Sequence, residues 1–456
     1  MTVTAPTRAT PASTRAAPPP HVAPEVALTL IAVGAAAVTF LWWHDTFAIH
    51  GLGDWLTNAG RLTGLWAGYA IVVLLALMAR VPALDRGVGA DRLARWHAMG
   101  GRYTVCLSVA HTLLIIWGYS VTAHTNVVHQ TSTLITSYPD VLMATVGLGL
   151  LIAVGVSSAR AARRKLRYET WHFIHLYTYL AIALIFSHQF STGADFISNA
   201  PARWLWSAMY LVVGALLVWY RLLVPVYGAV KYPMRVAGVT RENADTVSVY
   251  VTGPSIARLR AESGQFFRWR FLTRELWWAA NPYSLSAAPR PDLLRVTVKV
   301  GGDHSRSLLT LAPGTRVFAE GPYGGLTADR RRRRKVLLIA GGVGITPLRA
   351  LFESLPGRPG DITLLYRART EQDLVLRGEI EAIANHRGSR VHYLMGPSGS
   401  NRRDQLSPDR LSHLVPDLRD HDVYLCGPET MMATTRRALM KAGVPRRRIH
   451  HESFSF

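Results

Sequence analysis

Four histidines carry the most chemistry in this chain. His97 and His111 lie fourteen residues apart in WHAMGGRYTVCLSVAHTLLIIW, and His175 and His188 lie thirteen apart in YETWHFIHLYTYLAIALIFSHQF. On an α-helix these separations are rises of ~21 Å and ~20 Å, so the two pairs match in depth. Imidazole is a good ligand for iron, and ionisable residues inside an apolar span are costly and usually functional. Two facing helices with histidines at two matched levels would hold two haems stacked across a bilayer, each by two imidazoles. The first pair returns to within ~40° of one helix face, whereas the second ends ~140° apart. One ligand of the second helix must therefore reach its haem through tilt, local distortion or rotamer. His172, one turn before His175, competes for the same level.

Such ligands need membrane helices, and the composition provides for them. A chain of 456 residues predicts two or three domains. Its hydrophobic share of 49% is too high for an ordinary soluble protein with 18% charge. The two are segregated, with the apolar runs before residue 226 and most of the charge after it. Six runs, 26–43, 62–79, 103–121, 141–157, 171–190 and 204–226, are each close to the ~20 residues that a bilayer core demands. Residues 96–102 form the inner end of the third.

The net charge of +22 raises the question of nucleic acid. However, the basic residues do not interleave with aromatics; they cluster in alternate loops. Arg80, Arg86, Arg92, Arg95 and Arg102 lie between the second and third spans, and Arg160, Arg163, Arg164, Lys165 and Arg167 between the fourth and fifth. The loop 121–139 has no Lys or Arg. The positive-inside rule puts both basic loops in the cytoplasm, with the N-terminus and everything after the sixth span, so the expected location is the plasma membrane. Residues 1–24, rich in Ala, Pro and Thr, read as a disordered cytoplasmic tail rather than a signal peptide. His124 and His129 fall in the external loop and read as solvated. Arg61, at the outer end of span two, would pair a haem propionate, steer an anionic acceptor or simply snorkel to the interface. Cys106 and Cys426 imply no disulfide framework.

From Met234 onward, short alternating runs bounded by Gly, Pro and Asp read as an antiparallel β-barrel. The run 330–335 is six consecutive basic residues, read as a solvated linker, a contact for anionic lipid or an attractor of phosphorylated nucleotide. Next, VLLIAGGVGITPLRALFESL is an apolar strand, a glycine turn and an amphipathic helix, the geometry that lets backbone approach a pyrophosphate. The following strand, DITLLYRART, ends without the acidic residue that favours NAD. It offers Arg367 and Arg369 for a 2′-phosphate, which points to NADPH with NADH as the alternative.

The fourteen and thirteen spacings resemble the haem-ligand pattern of the transmembrane ferric reductases and NADPH oxidases, a resemblance that covers residues 60–456. It implies that His97 and His175 hold the inner haem and His111 and His188 the outer one. NPYSLSAAP resembles the flavin motif of the ferredoxin–NADP reductase superfamily, with Tyr283 packing on the flavin and Ser284 reaching its N5 edge. Soluble members usually have Arg two before the aromatic and the oxidase branch His-Pro; here Asn281 and Pro282 stand there. In GDHSRSL, Gly302 and Ser305 would open a short helix whose N–H groups meet the flavin phosphates. By the same resemblance Gly341, Gly342, Gly344 and Thr346 line the nicotinamide and ribose, and Arg369 matches the 2′-phosphate position. Cys426, Gly427 and Pro428 stand beside the nicotinamide, with packing as the other reading of Cys426. In HESFSF, Phe454 or Phe456 would cover the flavin.

The expected architecture is a tail (1–24), a six-helix haem-binding membrane domain (25–230), a FAD-binding β-barrel (231–328) and an α/β Rossmann-like NAD(P)H-binding domain (329–456). The expected function is transfer of electrons from cytoplasmic NADPH through FAD and two b-type haems to an acceptor outside. Ile115 stands where the oxidase branch commonly has a further histidine, which leaves ferric chelate and dioxygen both open as acceptors. A relay module feeding a partner protein is the alternative. A haem-free transporter with a regulatory reductase domain is a third reading, for which the four histidines would be dispensable.

Overall fold

The computed structural model describes residues 21–46, 49–163, 166, 168–197, 199–277, 280–396 and 405–452. Most of the expected tail, and both Phe454 and Phe456, lie outside them. The chain divides into two compact units, Met1–Arg221 and Leu222–Phe456.

The first unit is built from membrane-spanning helices: Pro24–His44, Leu52–Met78, Arg92–Thr122, Val141–Ser158 and Thr170–Ser191, with a sixth, Ala200–Lys231, beginning in it. The chain is therefore a multi-pass membrane protein. The second span starts ten residues before the apolar run, at Leu52, because its polar first turns satisfy themselves. Asn58 Nδ2 donates to Asp54 O at 3.0 Å, and the Asn58 carbonyl accepts from Trp42 Nε1 at 2.9 Å. The third helix runs unbroken over Ala90–Thr122. The external loop holds a further helix, Val127–Ser137, capped by the Asn126 side chain, which accepts from His129 N at 2.8 Å. His124 and His129 are exposed.

The second span is the central helix, with 33% of its apolar window buried against 6% for the fifth. Glycines let the third span approach it closely, as small residues do between helices in lipid. A Cβ at Gly60 would lie 2.9 Å from Ile115 Cδ1, and one at Gly118 2.8 Å from Thr57 N. The fifth span carries a turn at Ser187 between Tyr168–Phe186 and His188–Ser191, with Ser187 itself at helical dihedrals, φ −64° and ψ −40°.

The second unit holds two sheets. The first contains β1 (Met234–Asn243), β2 (Thr246–Thr252), β3 (Phe266–Phe271), β4 (Asn281–Ser284), β5 (Leu293–Lys299) and β6 (Arg316–Tyr323), all antiparallel, in the order β4-β3-β6-β1-β2-β5. One bridge, Leu285 to Val296, links the end of β4 to β5. Val247, Val249 and Val251 join Phe267, Trp269 and Phe271 in its core. This sheet occupies the segment that the sequence assigns to a barrel.

The second sheet contains β7 (Lys335–Gly341), β8 (Ile362–Ala368), β9 (Arg390–Met395), β10 (His421–Cys426) and β11 (Ile449–Glu452), all parallel, in the order β11-β10-β7-β8-β9. Alternate residues of β7 enter different cores. Val336, Leu338 and Ala340 pack with helix Ile345–Ser354, while Leu337 and Ile339 pack with helix Glu429–Lys441. Both faces of the sheet are thereby covered, the α/β arrangement that parallel strands require. The basic run 330–335 is pinned at the N-terminal edge of this sheet. The Arg332 amide donates to Asp422 Oδ2 at 2.6 Å, Arg334 pairs with Asp361 at 3.5 Å, and Lys335 pairs with Asp417.

Candidate functional site

His97 and His175 face each other with ring centroids 5.9 Å apart, and His111 and His188 with centroids 6.3 Å apart. Two imidazoles bound in line through one nitrogen each to a shared metal at ~2 Å stand with centroids ~6 Å apart. The spacing of each pair thus fits one iron. His97 Nδ1 lies 3.2 Å from Leu74 O, His111 Nδ1 lies 2.7 Å from Gly60 O, and His188 Nδ1 is bonded to Ile185 O. Each contact leaves Nε2 to point at a metal, the arrangement that orients ligating histidines. His175 Nδ1 is buried and has no hydrogen-bond partner among the described residues; its ring stacks on Trp171 at 5.2 Å and 27°. His172 is exposed, with its ring 6.4 Å from Trp171. His188 nevertheless faces His111, despite the ~140° that thirteen residues of ideal helix imply, and it follows directly on the turn at Ser187. Among the described residues no group of three or more His, Cys, Asp and Glu forms a metal site. Paired imidazoles are the donor set present, and they are the residues that would hold a haem iron.

A cavity of about 430 Å³ opens at the His111–His188 level, lined also by Gly64, Ile115, Tyr119, Arg61 and Asp195. A Cβ at Gly64 would come within 2.5 Å of His111 Nδ1, so the ring lies where only glycine leaves room. Arg61 is neither a snorkelling cation nor a lone one. Its Nη2 lies 2.5 Å from Asp195 Oδ1, its Nη1 donates to Asn58 Oδ1 at 3.0 Å, and the side chains of the pair are 17% and 4% exposed. The sequence reading missed Asp195, an acidic residue near the outer end of span five.

On β4, Ser284 is buried and its Oγ has no hydrogen-bond partner among the described residues, so it can still donate to or accept from a ligand. Tyr283 is half-buried against the sheet core, its carbonyl accepting from Trp269 Nε1 at 2.9 Å. Burial raises its phenol, so it stays neutral. Asn281 and Pro282 lie opposite Trp269 and Arg268 on β3. Arg268, opposite Pro282 in register and 3.5 Å from Glu320, is a cation beside the missing arginine's position and was not singled out from sequence. Gly302 and Ser305 do meet at a short helix, Asp303–Arg306, but the Gly302 amide donates to Ser305 Oγ at 3.1 Å. A flavin phosphate there would have to displace that bond, because the hydroxyl and the amide satisfy each other.

Between β7 and β10 the parallel order reverses, and ligands of such sheets bind at the carboxyl ends flanking that switch point. The glycine turn lies there. Gly341 ends β7, Gly342 has φ +54°, and a Cβ on Gly344 would strike the Cys426 carbonyl. A Cβ on Gly427 would lie 3.2 Å from Gly341 Cα, and one on Gly341 3.1 Å from Pro428 Cδ. The two loops therefore meet backbone to backbone. Thr346 is buried and donates to Val343 O at 3.0 Å. Burial pushes the Cys426 thiol well up, so it stays protonated and packs. Opposite it in register stands Glu452, a titratable residue that the sequence reading passed over. Arg369 is exposed just past the end of β8, whereas Arg367 is buried within it.

A charged network joins the flavin and nucleotide halves. Arg295 on β5 donates Nη1 to Glu379 Oε1 at 2.6 Å and Nη2 to Glu379 Oε2 at 2.9 Å. Burial raises the Glu379 carboxyl, but the hydrogen bonds and charges of Arg295 and Arg349 outweigh it and hold the group below its ordinary value of 4.5. A carboxylate with a depressed folded value contributes stability above its unfolded value and loses it as pH falls through the folded one. The temperature of flavin release should accordingly fall in Glu379→Gln relative to wild type at pH 7. That difference should shrink steadily as pH drops below 4.5. A constant difference across that range would remove the carboxylate from the account.

A family model described as a ferric reductase like transmembrane component matches residues 63–186, a FAD-binding domain matches 231–327 and an oxidoreductase NAD-binding domain matches 338–437. Ferredoxin–NADP reductase B of Sorangium cellulosum is 35% identical over 190 residues, 38% of this chain and 77% of that protein. The stachydrine N-demethylase reductase subunit Stc4 of Rhizobium meliloti is 30% identical over 239 residues, 49% of this chain. The chain spans 66% of that subunit's length. Among solved structures, a cytochrome P450 reductase of Amycolatopsis is 27% identical with a TM-score of 0.42, covering 49% of this chain and 69% of that one. The chain belongs to the family that joins a ferric-reductase-like membrane domain to a ferredoxin–NADP reductase-like module. It is an NAD(P)H-dependent oxidoreductase with FAD- and NAD(P)-binding domains.

Proposed function

We propose that this protein is a plasma-membrane NADPH oxidoreductase that passes electrons from cytoplasmic NADPH, through FAD and two b-type haems, to an extracytoplasmic acceptor, ferric chelate or dioxygen. The observation that carries this reading is the two facing histidine pairs, 5.9 Å and 6.3 Å between centroids, in a chain that also holds FAD-binding and NAD-binding domains. A nicotinamide releases two electrons together whereas haem iron takes one, and a flavin converts between the two.

The protein's own part is positioning. His97 and His175 hold the inner haem, and His111 and His188 the outer one. Tyr283 packs on the flavin, and the Ser284 hydroxyl, without a hydrogen-bond partner among the described residues, meets its N5 edge. The glycine turn and the Cys426–Gly427–Pro428 loop let backbone approach the dinucleotide. The arginine-rich loops between spans two and three and between four and five support a cytoplasmic reductase unit.

Arg369 pairs the 2′-phosphate that separates NADPH from NADH. A charge-assisted contact of this kind is worth ~1.5–3 kcal/mol, or about 10- to 100-fold in binding. Arg369→Ala should raise the NADPH concentration for half-maximal flavin reduction by about that factor and leave NADH unchanged. Equal loss for both nucleotides would mean that this residue reads something other than the 2′-phosphate.

The decisive experiment mixes the purified full chain, supplied with FAD, with NADPH under anaerobic conditions and records the visible spectrum. Growth of a reduced b-type haem band is expected, reversed by ferric chelate or air admitted separately. Haem that stays oxidised with NADPH but yields to dithionite would overturn the proposed conduit.

A further inference from the structure

The flavin strand and the helix opened by the glycine turn are tied together by two carboxylates. Glu379, on helix Arg377–Arg387, takes the Arg295 fork on both oxygens, and Arg349 Nη2 approaches its Oε2 at 2.8 Å. Arg295 also donates Nε to Ser286 Oγ at 3.0 Å and Nη2 to Ser286 O at 2.8 Å, two residues beyond the flavin-facing Ser284. Arg349 and Glu353 pair on helix Ile345–Ser354, whose first turn is the nucleotide loop. Glu353 Oε2 reaches back to accept from the Ala288 amide at 2.8 Å. The arginine side chains are 6% and 8% exposed. A bidentate guanidinium–carboxylate contact in such surroundings fixes orientation as well as distance.

We propose that Glu379 is a positioning residue for hydride transfer: through Arg295 and Arg349 it sets the nucleotide-binding helix against the flavin strand. The inference rests on NAD(P)H reducing a flavin in this chain. Every loop expected to touch the dinucleotide belongs to the nucleotide half, so cutting the clamp leaves the nucleotide's own contacts whole. What changes is the register between donor and acceptor, and a misplacement on the order of 1 Å can cost ~100-fold in rate.

The test is flavin reduction by NADPH, followed by stopped flow in the detergent-solubilised full chain and normalised to bound FAD. In Glu379→Gln the limiting rate should fall at least tenfold, while the NADPH concentration for half-saturation stays within twofold and reduction by dithionite is unchanged. A limiting rate within twofold of wild type at full FAD occupancy would overturn the proposal and leave the network a purely structural tie. A parallel rise in the half-saturating concentration would overturn it too, by making Glu379 part of nucleotide binding. If Glu379→Gln does not retain FAD, Glu353→Gln, which removes the Ala288 contact from a carboxylate 39% exposed, carries the same test, and either of the same two results overturns the proposal. Failure of the wild type to be reduced by NADPH would count against the wider function instead, so the two outcomes stay separable.

Discussion

Replacing His188 with alanine should yield a protein that binds one haem in place of two and reduces no external acceptor. His188 stands alone with His111 at the outer level, ring centroids 6.3 Å apart, and its Nδ1 is committed to the Ile185 carbonyl. Its Nε2 is therefore the nitrogen left to bind metal. Methyl in place of imidazole leaves a void beside the cavity and removes one of the two imidazoles that would hold the outer haem. The pairing also makes the effect local. His97 and His175 face each other at their own level, so the inner haem should remain and should still be reduced by NADPH. Haem released as a pyridine adduct, counted per bound FAD, should halve, and acceptor reduction should drop to background. His172→Ala, by contrast, should keep both haems, since His175 rather than His172 holds the stacked position on Trp171. Loss of a haem from His172→Ala together with its retention in His175→Ala would reverse the inner assignment.

The histidine depths were legible because rise per residue is a property of the helix alone. Which way each ring points was not. His188 faces His111 although thirteen residues of ideal helix put it ~140° from His175, and no spacing records how the end of the fifth span packs to bring that about. Arg61 shows the same division. Its cost in an apolar run was visible, yet its partner Asp195 lies 134 residues away on a four-residue helix. Hydropathy likewise set the second span's start too late, since it counts Asn58 and Arg61 as polar without seeing the bonds that satisfy them. In the reductase unit, motif order and strand texture located both sheets. The Gly302 amide, by contrast, looked available for phosphate in sequence and is taken by Ser305 Oγ in the structure. The Arg295–Glu379 clamp left no sequence signal, because it joins residues 84 positions apart on a strand and a helix of different sheets.

Gly344→Ala should cut productive use of NADPH ~100-fold while sparing the flavin. The backbone at Gly344 is ordinary helical, with φ −62°, so any residue could adopt it. Space forbids the change instead. A Cβ there would meet the Cys426 carbonyl oxygen, lie 2.6 Å from its carbon and 2.7 Å from Gly427 N. All three are backbone atoms at the end of β10, the strand beside β7, and cannot rotate away as a side chain would. Relief requires the glycine turn and the Cys426–Gly427 loop to part, and these are the two segments expected to grip the dinucleotide. A shift on the order of 1 Å should lower flavin reduction by NADPH ~100-fold. FAD content and reduction by dithionite should stay near wild type, because the flavin strand belongs to the antiparallel sheet. Gly342 is the control. Its φ of +54° makes alanine cost ~1–2 kcal/mol in backbone strain. Among the described residues no heavy atom lies within 4 Å of the added Cβ, so Gly342→Ala should slow the reaction less than tenfold. Equal losses in the two variants would mean that backbone conformation, not the contact between loops, governs this edge.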